Sequence, residues 1–268
     1  MGGNGPIDGK VSWVTESELI RRLRAAGCVF AEQEAALLRE HALDDTELEA
    51  LTERRVSGEP LEQILGWAEF DGHRFAVEPG VFVPRHRSEF LVAQAVALGH
   101  PGAVVLDLCC GIGALGVAVR ARLGDAELHA SDVDAAAVRC ARINLGPHGR
   151  VYCGDLYRPL PDELRGRVEL LLANAPYVPS GELRLLPPEA REHENHTALD
   201  GGDDGLAIHR RVIAEAPVWL APGGRVLIEV SEAQSGAAAS LMQNAGLTTR
   251  LVIDDDDTVV VIGTLAAG

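Results

Sequence analysis

The run Val104-Val105-Leu106-Asp107-Leu108-Cys109-Cys110-Gly111-Ile112-Gly113-Ala114-Leu115-Gly116 decides how the rest of the chain is read. The residues from 104 to 108 predict a short buried strand. The glycines that follow let the chain turn sharply into a helix N-terminus, where backbone N–H groups can face a ligand. By itself the Gly111-x-Gly113-x-x-Gly116 pattern also fits a nicotinamide-dinucleotide fingerprint. Asp107 shifts that balance: with glycines four and six residues later, its carboxylate is spaced to reach a ligand's ammonium group, directly or through water.

Downstream, Glu127 to Ser131, Val151 to Tyr152, Glu169 to Ala173 and Arg225 to Val230 are short apolar runs separated by helical stretches. That is the βαβ alternation of a parallel sheet. Thr249 to Ile253 and Thr258 to Thr264 are joined only by Asp254-Asp255-Asp256-Asp257, too short for a right-handed crossover, so one of the two must run antiparallel. The acidic link itself reads as a solvated turn. The expected fold class is α/β: a Rossmann-like, mostly parallel sheet with an antiparallel C-terminal hairpin, as in class I methyltransferases, over residues 84–268.

Upstream the period changes. Thr15 and Glu18 have capping-box spacing, Leu19, Ile20 and Leu23 share a face, and Gly27 stops the run. A second amphipathic stretch covers Ala31 to His41. A third starts near Asp44 with Leu48, Leu51 and Val56 inward, and Pro60 opens a short helix ended by Gly66. Residues 15–66 are therefore expected to form a small helical domain behind a flexible tail, 1–14. Asp71-Gly72 is a two-residue hairpin signal, which makes 67–83 a β-hairpin linker.

The chain has 268 residues and a formal charge of -16, and Lys10 is its single lysine. Nucleic-acid binders need a basic face to neutralise phosphates, so an extended nucleic-acid footprint does not fit this charge. A cationic cofactor or a basic protein partner suits it better. No apolar run approaches the roughly 18 residues of a membrane span, and the five cysteines follow neither a disulfide nor a zinc pattern. No metal, no membrane association and a cytoplasmic location are expected.

Asp132 ends the second strand, where a carboxylate can accept two ribose hydroxyls. Asp155 follows the third, where it can accept an adenine amino group while Leu156 covers the ring. With Asp107, Gly111 and Gly113 these residues lie along the carboxyl edge at which such sheets bind ligands. They point to S-adenosyl-L-methionine as cofactor. The fourth strand runs into Asn174-Ala175-Pro176-Tyr177. Were the Asn174 side-chain oxygen and the Ala175 carbonyl to accept from one NH2 group, they would aim the nitrogen lone pair at a methyl group and stabilise the charge developing there. Tyr177 would wall a planar acceptor.

These residues resemble the protein-(glutamine-N5) methyltransferases that modify peptide-chain release factors. The resemblance runs from about Leu19 to Leu265 and rests on an ordered series of marks. They are Gly58-Glu59-Pro60-Leu61 with Gly66, Pro84-Arg85 with Ser88-Glu89, the Asp107 loop, and the Asn174 motif. Glu194, Ala198 to Leu206, and Glu229 with Gln234 complete the series. It implies a helical substrate-recognition domain, a glutamine in a Gly-Gly-Gln loop as acceptor, Phe82 near the cofactor and Arg85 near the acceptor pocket. Three departures stand out: Cys109 replaces a glycine, Ala175 the first of two prolines, and Asn195 a proline. Pro176 still biases residue 175 toward an extended conformation. The helical domain is also short between His41 and Asp44, which keeps open a small amide, amine or guanidine as acceptor. Methylation of a nucleic-acid base, which uses related Asn-Pro-Pro-Tyr motifs, and NAD-dependent oxidoreduction, which uses the same glycines, compete with this reading.

Overall fold

The computed structural model describes residues 15–268; the tail expected over residues 1–14, with Lys10, lies outside the described residues. The chain divides into two compact units, with the boundary between Leu65 and Gly66.

The first unit is helical: α1 (Glu16–Ala25), α2 (Ala31–His41), α3 (Asp45–Val56) and the short α4 (Leu61–Leu65). Thr15 caps α1 by accepting from the Glu18 N–H at 3.3 Å, and Asp44 caps α3 by accepting from the Glu47 N–H at 2.8 Å. Leu19, Leu23, Leu38, Leu48 and Leu51 are buried. Val56, expected inward, is only half-buried, and the buried neighbour is Arg55. Its Nε meets Glu34 Oε2 at 2.6 Å. An unpaired charge would be too costly at that depth, so α2 and α3 are coupled by an ion pair where periodicity alone suggests an aliphatic contact.

The second unit starts with an antiparallel hairpin, β1 (Trp67–Phe70) and β2 (His73–Ala76). Asp71 and Gly72 between them both have positive φ, 47° and 73°, the left-handed pair a tight hairpin needs. Then come α5 (Glu89–Leu98), β3 (Val104–Leu108), α6 (Ala114–Leu123), β4 (Glu127–Asp132), α7 (Ala135–Leu145), β5 (Gly149–Cys153) and β6 (Val168–Ala173). The short α8 (Pro188–His193), α9 (Ala207–Trp219), β7 (Leu220–Val230), α10 (Glu232–Asn244), β8 (Thr248–Ile253) and β9 (Val259–Thr264) complete it.

The seven strands lie in the order β5-β4-β3-β6-β7-β9-β8. β9 pairs antiparallel with both β7 and β8, and all other pairs are parallel. This is the class I methyltransferase fold inferred from the strand pattern. Strand order reverses between β3 and β6, so the chain leaves these two neighbours toward opposite edges and opens a crevice at their carboxyl ends. Apolar side chains cover both faces. Val105, Leu170 and Leu172 join the hairpin's Phe70 and Phe75 in one cluster, while Leu106, Leu108 and Leu171 pack with Trp219 in the other. Two dry faces make the site's floor rigid.

Candidate active site

A cavity of about 390 Å³ occupies the carboxyl end of the sheet. One part of its lining is built from the turns after β3, β4 and β5 and includes Gly111, Asp132, Asp155 and Leu156. Gly111 N–H donates to Asp132 Oδ2 and Asp134 N–H donates to Oδ1, each at 2.8 Å. Each carboxylate oxygen thus keeps lone-pair capacity. Burial holds the Asp132 carboxyl above its ordinary range, against these backbone hydrogen bonds. Asp155 is the opposite case. Arg211 Nη2 donates to its two oxygens at 2.8 and 2.7 Å, and this holds its carboxyl below the usual range. Leu156 is buried, with its carbonyl accepting from Ser131 Oγ at 2.9 Å.

Asp107 and Gly113 belong to the layer beneath this wall. Asp107 is 1% exposed and accepts from the Gly116 N–H at 3.0 Å. Burial, with a smaller contribution from the Asp132 charge, pushes its carboxyl up to about 7. Gly113 starts α6 at φ 80°, and a Cβ there would lie 2.6 Å from Leu145 Cδ1 on α7. Cys109, in place of the glycine noted above, adopts φ 54° and so holds a left-handed conformation that favours glycine. Its thiol lines the cavity, and burial pushes its pKa up, so it stays protonated.

Asn174, Ala175, Pro176 and Tyr177 form the opposite wall as the chain leaves β6. Asn174 Nδ2 donates to the buried Ser88 Oγ at 2.9 Å, which leaves Oδ1 with no partner among the described residues. Tyr177 O–H donates to Glu229 Oε1 at 3.3 Å, and Arg87 Nη2 donates to the same phenol oxygen. Burial, and then the Glu229 charge, push the phenol up to about 12. Gln234 ties the motif down: its Nε2 donates to the carbonyls of Tyr177 at 2.8 Å and Asp204 at 3.1 Å. Gly205 is required beside it, because a Cβ would fall 2.2 Å from both Gln234 Nε2 and Tyr177 O.

Phe82 and Arg85 also line the cavity. The Arg85 guanidinium lies 4.8 Å from the Phe82 ring centroid and donates to Glu194 Oε1 and Oε2 at 2.7 and 2.8 Å. Among the lining residues that sequence reasoning missed are two cations, Arg87 and Arg211. Arg87 sits inside the segment Pro84 to Glu89, so its position was a usable signal. Arg211 has none, being 56 residues from the Asp155 it pairs with.

The Methyltransferase small domain family matches residues 73–185. A release factor glutamine methyltransferase of Cereibacter sphaeroides is 35% identical over 259 residues, spanning 88% of this chain and 91% of that protein. The chain belongs to the release factor glutamine methyltransferase family. It is an S-adenosylmethionine-dependent methyltransferase. A further relative is the 4-amino-L-phenylalanine/4-methylamino-L-phenylalanine methyltransferase of Streptomyces pristinaespiralis, 37% identical over 72% of this chain and 68% of that one. Among solved structures, a Thermus thermophilus 16S rRNA N2 G1207 methyltransferase in complex with AdoMet and guanosine shares the fold. Its TM-score is 0.53 at 20% identity, covering 74% of this chain and 49% of that one. Among the described residues of this family member, no helix is long and apolar enough to cross a membrane.

Proposed function

We propose that this enzyme transfers a methyl group to the side-chain nitrogen of a glutamine in a protein substrate, a release factor, in the cytoplasm. The observation that carries the reading is Asn174. Its amide is pinned by Ser88, and its oxygen is left over at the carboxyl end of β6, in the cavity that Asp132 also lines.

S-adenosylmethionine supplies an electrophilic methyl group on a sulfonium. The donor set across the cavity fits it. Asp132 has lone pairs for two hydroxyls beyond the two backbone N–H groups it holds, and Leu156 offers an apolar surface for a purine. Asp107 stands behind the Gly111 loop as a buried carboxyl suited to an ammonium, through water. Asp155 has both oxygens on Arg211, so an amino group would share a carboxylate already paired.

On the acceptor side, Asn174 Oδ1 and the Ala175 carbonyl accept the two N–H groups of the amide. This fixes the amide plane and so aims the lone pair across the cavity; the N–CH3 bond would form as the S–CH3 bond breaks, and the nitrogen would then release one N–H proton to water. As positive charge grows on nitrogen, both acceptors would stabilise it with little reorganisation, since Ser88 holds Asn174 and Pro176 restricts residue 175. Tyr177 and Phe82 confine a planar group. The helical residues 15–66 would recognise the protein, with 67–83 as linker to the catalytic residues 84–268.

A second reading, methylation of a small aromatic amine, is favoured by one finding: the Streptomyces pristinaespiralis relative that acts on 4-amino-L-phenylalanine is as similar as the release factor enzymes. Incubation with labelled cofactor and separate samples of release factor, free glutamine and 4-amino-L-phenylalanine, followed by mass analysis of the methylated atom, tests both. Methylated glutamine in the protein supports the first. A methylated arylamine with an untouched release factor replaces it by the second.

A further inference from the structure

Three guanidinium groups face the cavity, and two of them are already matched. Arg85 is forked onto the buried carboxylate of Glu194, and Arg211 donates to both oxygens of Asp155. Arg87 differs. Its side chain is 55% exposed at the cavity mouth beside Tyr177. Nε reaches Glu229 Oε1 at 3.4 Å, Nη2 donates to the Tyr177 oxygen, and the guanidinium carbon lies 5.9 Å from that ring's centroid. An arginine carries five N–H donors in a rigid fork. Two are used, and both are directed at groups in the protein wall, so the group is held on one edge and offers donors on the other.

The surroundings give that edge a purpose. Arg87 also borders a second cleft, where Asp71 and Glu89 are paired with Arg122 and His86 and where Asp254 and Asp256 add two further carboxylates. In a chain of net charge -16, the exposed edge of Arg87 is a local cationic site for an anion entering the cavity. A planar cation with free parallel donors, beside the wall that would grip the reacting nitrogen, is the donor arrangement that recognises a carboxylate.

We propose that Arg87 is a specificity-determining residue that receives a carboxylate of the methyl acceptor. The inference rests on the reading of Asn174 as the acceptor wall and adds the acceptor's charge. That carboxylate can belong to a free amino acid or to an acidic side chain beside the target nitrogen in a protein loop. The two sources share their chemistry and are separated by the test.

The test uses the full chain loaded with S-adenosylhomocysteine, so that affinity is read by calorimetry without turnover. L-Glutamine and an arylamine amino acid are each titrated against their own carboxamides. A release factor carrying Glu beside the target glutamine is titrated against the same protein with Gln there. For at least one pair, the carboxylate form should bind roughly 10- to 100-fold more tightly, the range of a charge-assisted hydrogen-bond pair. The pair that discriminates names the source. In Arg87→Gln that ratio should collapse toward one, and Arg87→Lys should keep part of it. Both ligands are measured on the same variant, so loss of folded protein cancels. If Arg87 merely props Tyr177, both affinities fall together and the ratio survives, which overturns the proposal, as does a ratio near one in the parent enzyme or failure of every pair to bind. If a parallel turnover assay with S-adenosylmethionine methylates no nitrogen, the Asn174 reading fails and with it the assignment of the carboxylate to a methyl acceptor; nitrogen methylation without charge discrimination overturns the Arg87 proposal alone.

Discussion

Asp107→Asn exchanges a carboxyl for an amide of the same shape, and its effect can be worked out from the site. The side chain is buried and accepts from the Gly116 N–H at 3.0 Å, a bond the Asn oxygen can keep. Burial raises the folded-state pKa from 3.8 to about 7. A carboxyl so displaced binds its proton more tightly in the folded than in the unfolded chain. Its stabilising contribution is thus fully present below the unfolded value and is lost as pH rises through about 7. At about 1.36 kcal/mol per pH unit the whole loss is on the order of 4 kcal/mol. The Asn variant has no such proton to lose. Equilibrium urea denaturation of both proteins without cofactor should therefore show a stability difference that moves in favour of the variant by roughly 2 to 3 kcal/mol between pH 5 and pH 8. A difference independent of pH would mean that Asp107 titrates normally and would refute the reasoning. The amide should also weaken S-adenosylmethionine binding at pH 8, the opposite of its effect on folding.

Asn174→Ala removes one of the two acceptors proposed for the amide hydrogens, and kcat should fall by about 10² to 10³ in a single-turnover assay. Ser88→Ala removes only the group that orients Asn174, so the fall should be about 2- to 12-fold, matching a neutral hydrogen bond. Asp132→Ala should raise the S-adenosylmethionine Kd roughly 10- to 100-fold by calorimetry, while the circular dichroism spectrum stays that of the parent. Cys109→Gly releases a left-handed residue whose strain is about 1 to 2 kcal/mol, offset in part by the greater freedom of glycine in the unfolded chain. Denaturation should show a net gain of about 0.5 to 1 kcal/mol, and a loss would mean that the thiol's packing outweighs the strain.

What could be read in the sequence was whatever is decided within a few residues. The Asp71-Gly72 turn, the Thr15 cap, the helix start near Asp44, and the apolar runs that became β3, β4, β6 and β7 depend on spacing alone, and spacing is visible in one dimension. That Asp132 and Asp155 would meet at one edge of the sheet was legible for the same reason. Each lies at or within two residues of a strand's carboxyl end, and parallel strands bring those ends together whatever lies between them. Depth was less legible. Asp107 and Asp132 have the same local signature, a carboxylate at a strand end, but one sits under the loop and the other on the cavity wall. The difference comes from the pleat, which turns the Asp107 side chain toward Gly116 on α6, a contact no pattern count displays.

The rest of the site could not be read because it consists of pairs. Ser88 and Asn174 are 86 residues apart, Arg85 and Glu194 109, and Arg87 and Glu229 142. Taken singly, an arginine on a loop reads as a surface cation. Its meaning depends on which carboxylate it faces and how deeply that carboxylate is buried. Glu194 and Glu229 are 4% and 2% exposed, so each arginine matters through a carboxylate that the fold has already buried. This also explains why Asn174-Ala175-Pro176-Tyr177 can carry an alanine in place of a proline. The motif's shape does not rest on that ring alone: Ser88 holds Asn174, Gln234 and the Gly205 contact hold the Tyr177 carbonyl, and Glu229 with Arg87 holds the phenol. Against so many anchors, the extra chain freedom of one alanine, about 0.4 to 1 kcal/mol, is a small perturbation of the wall.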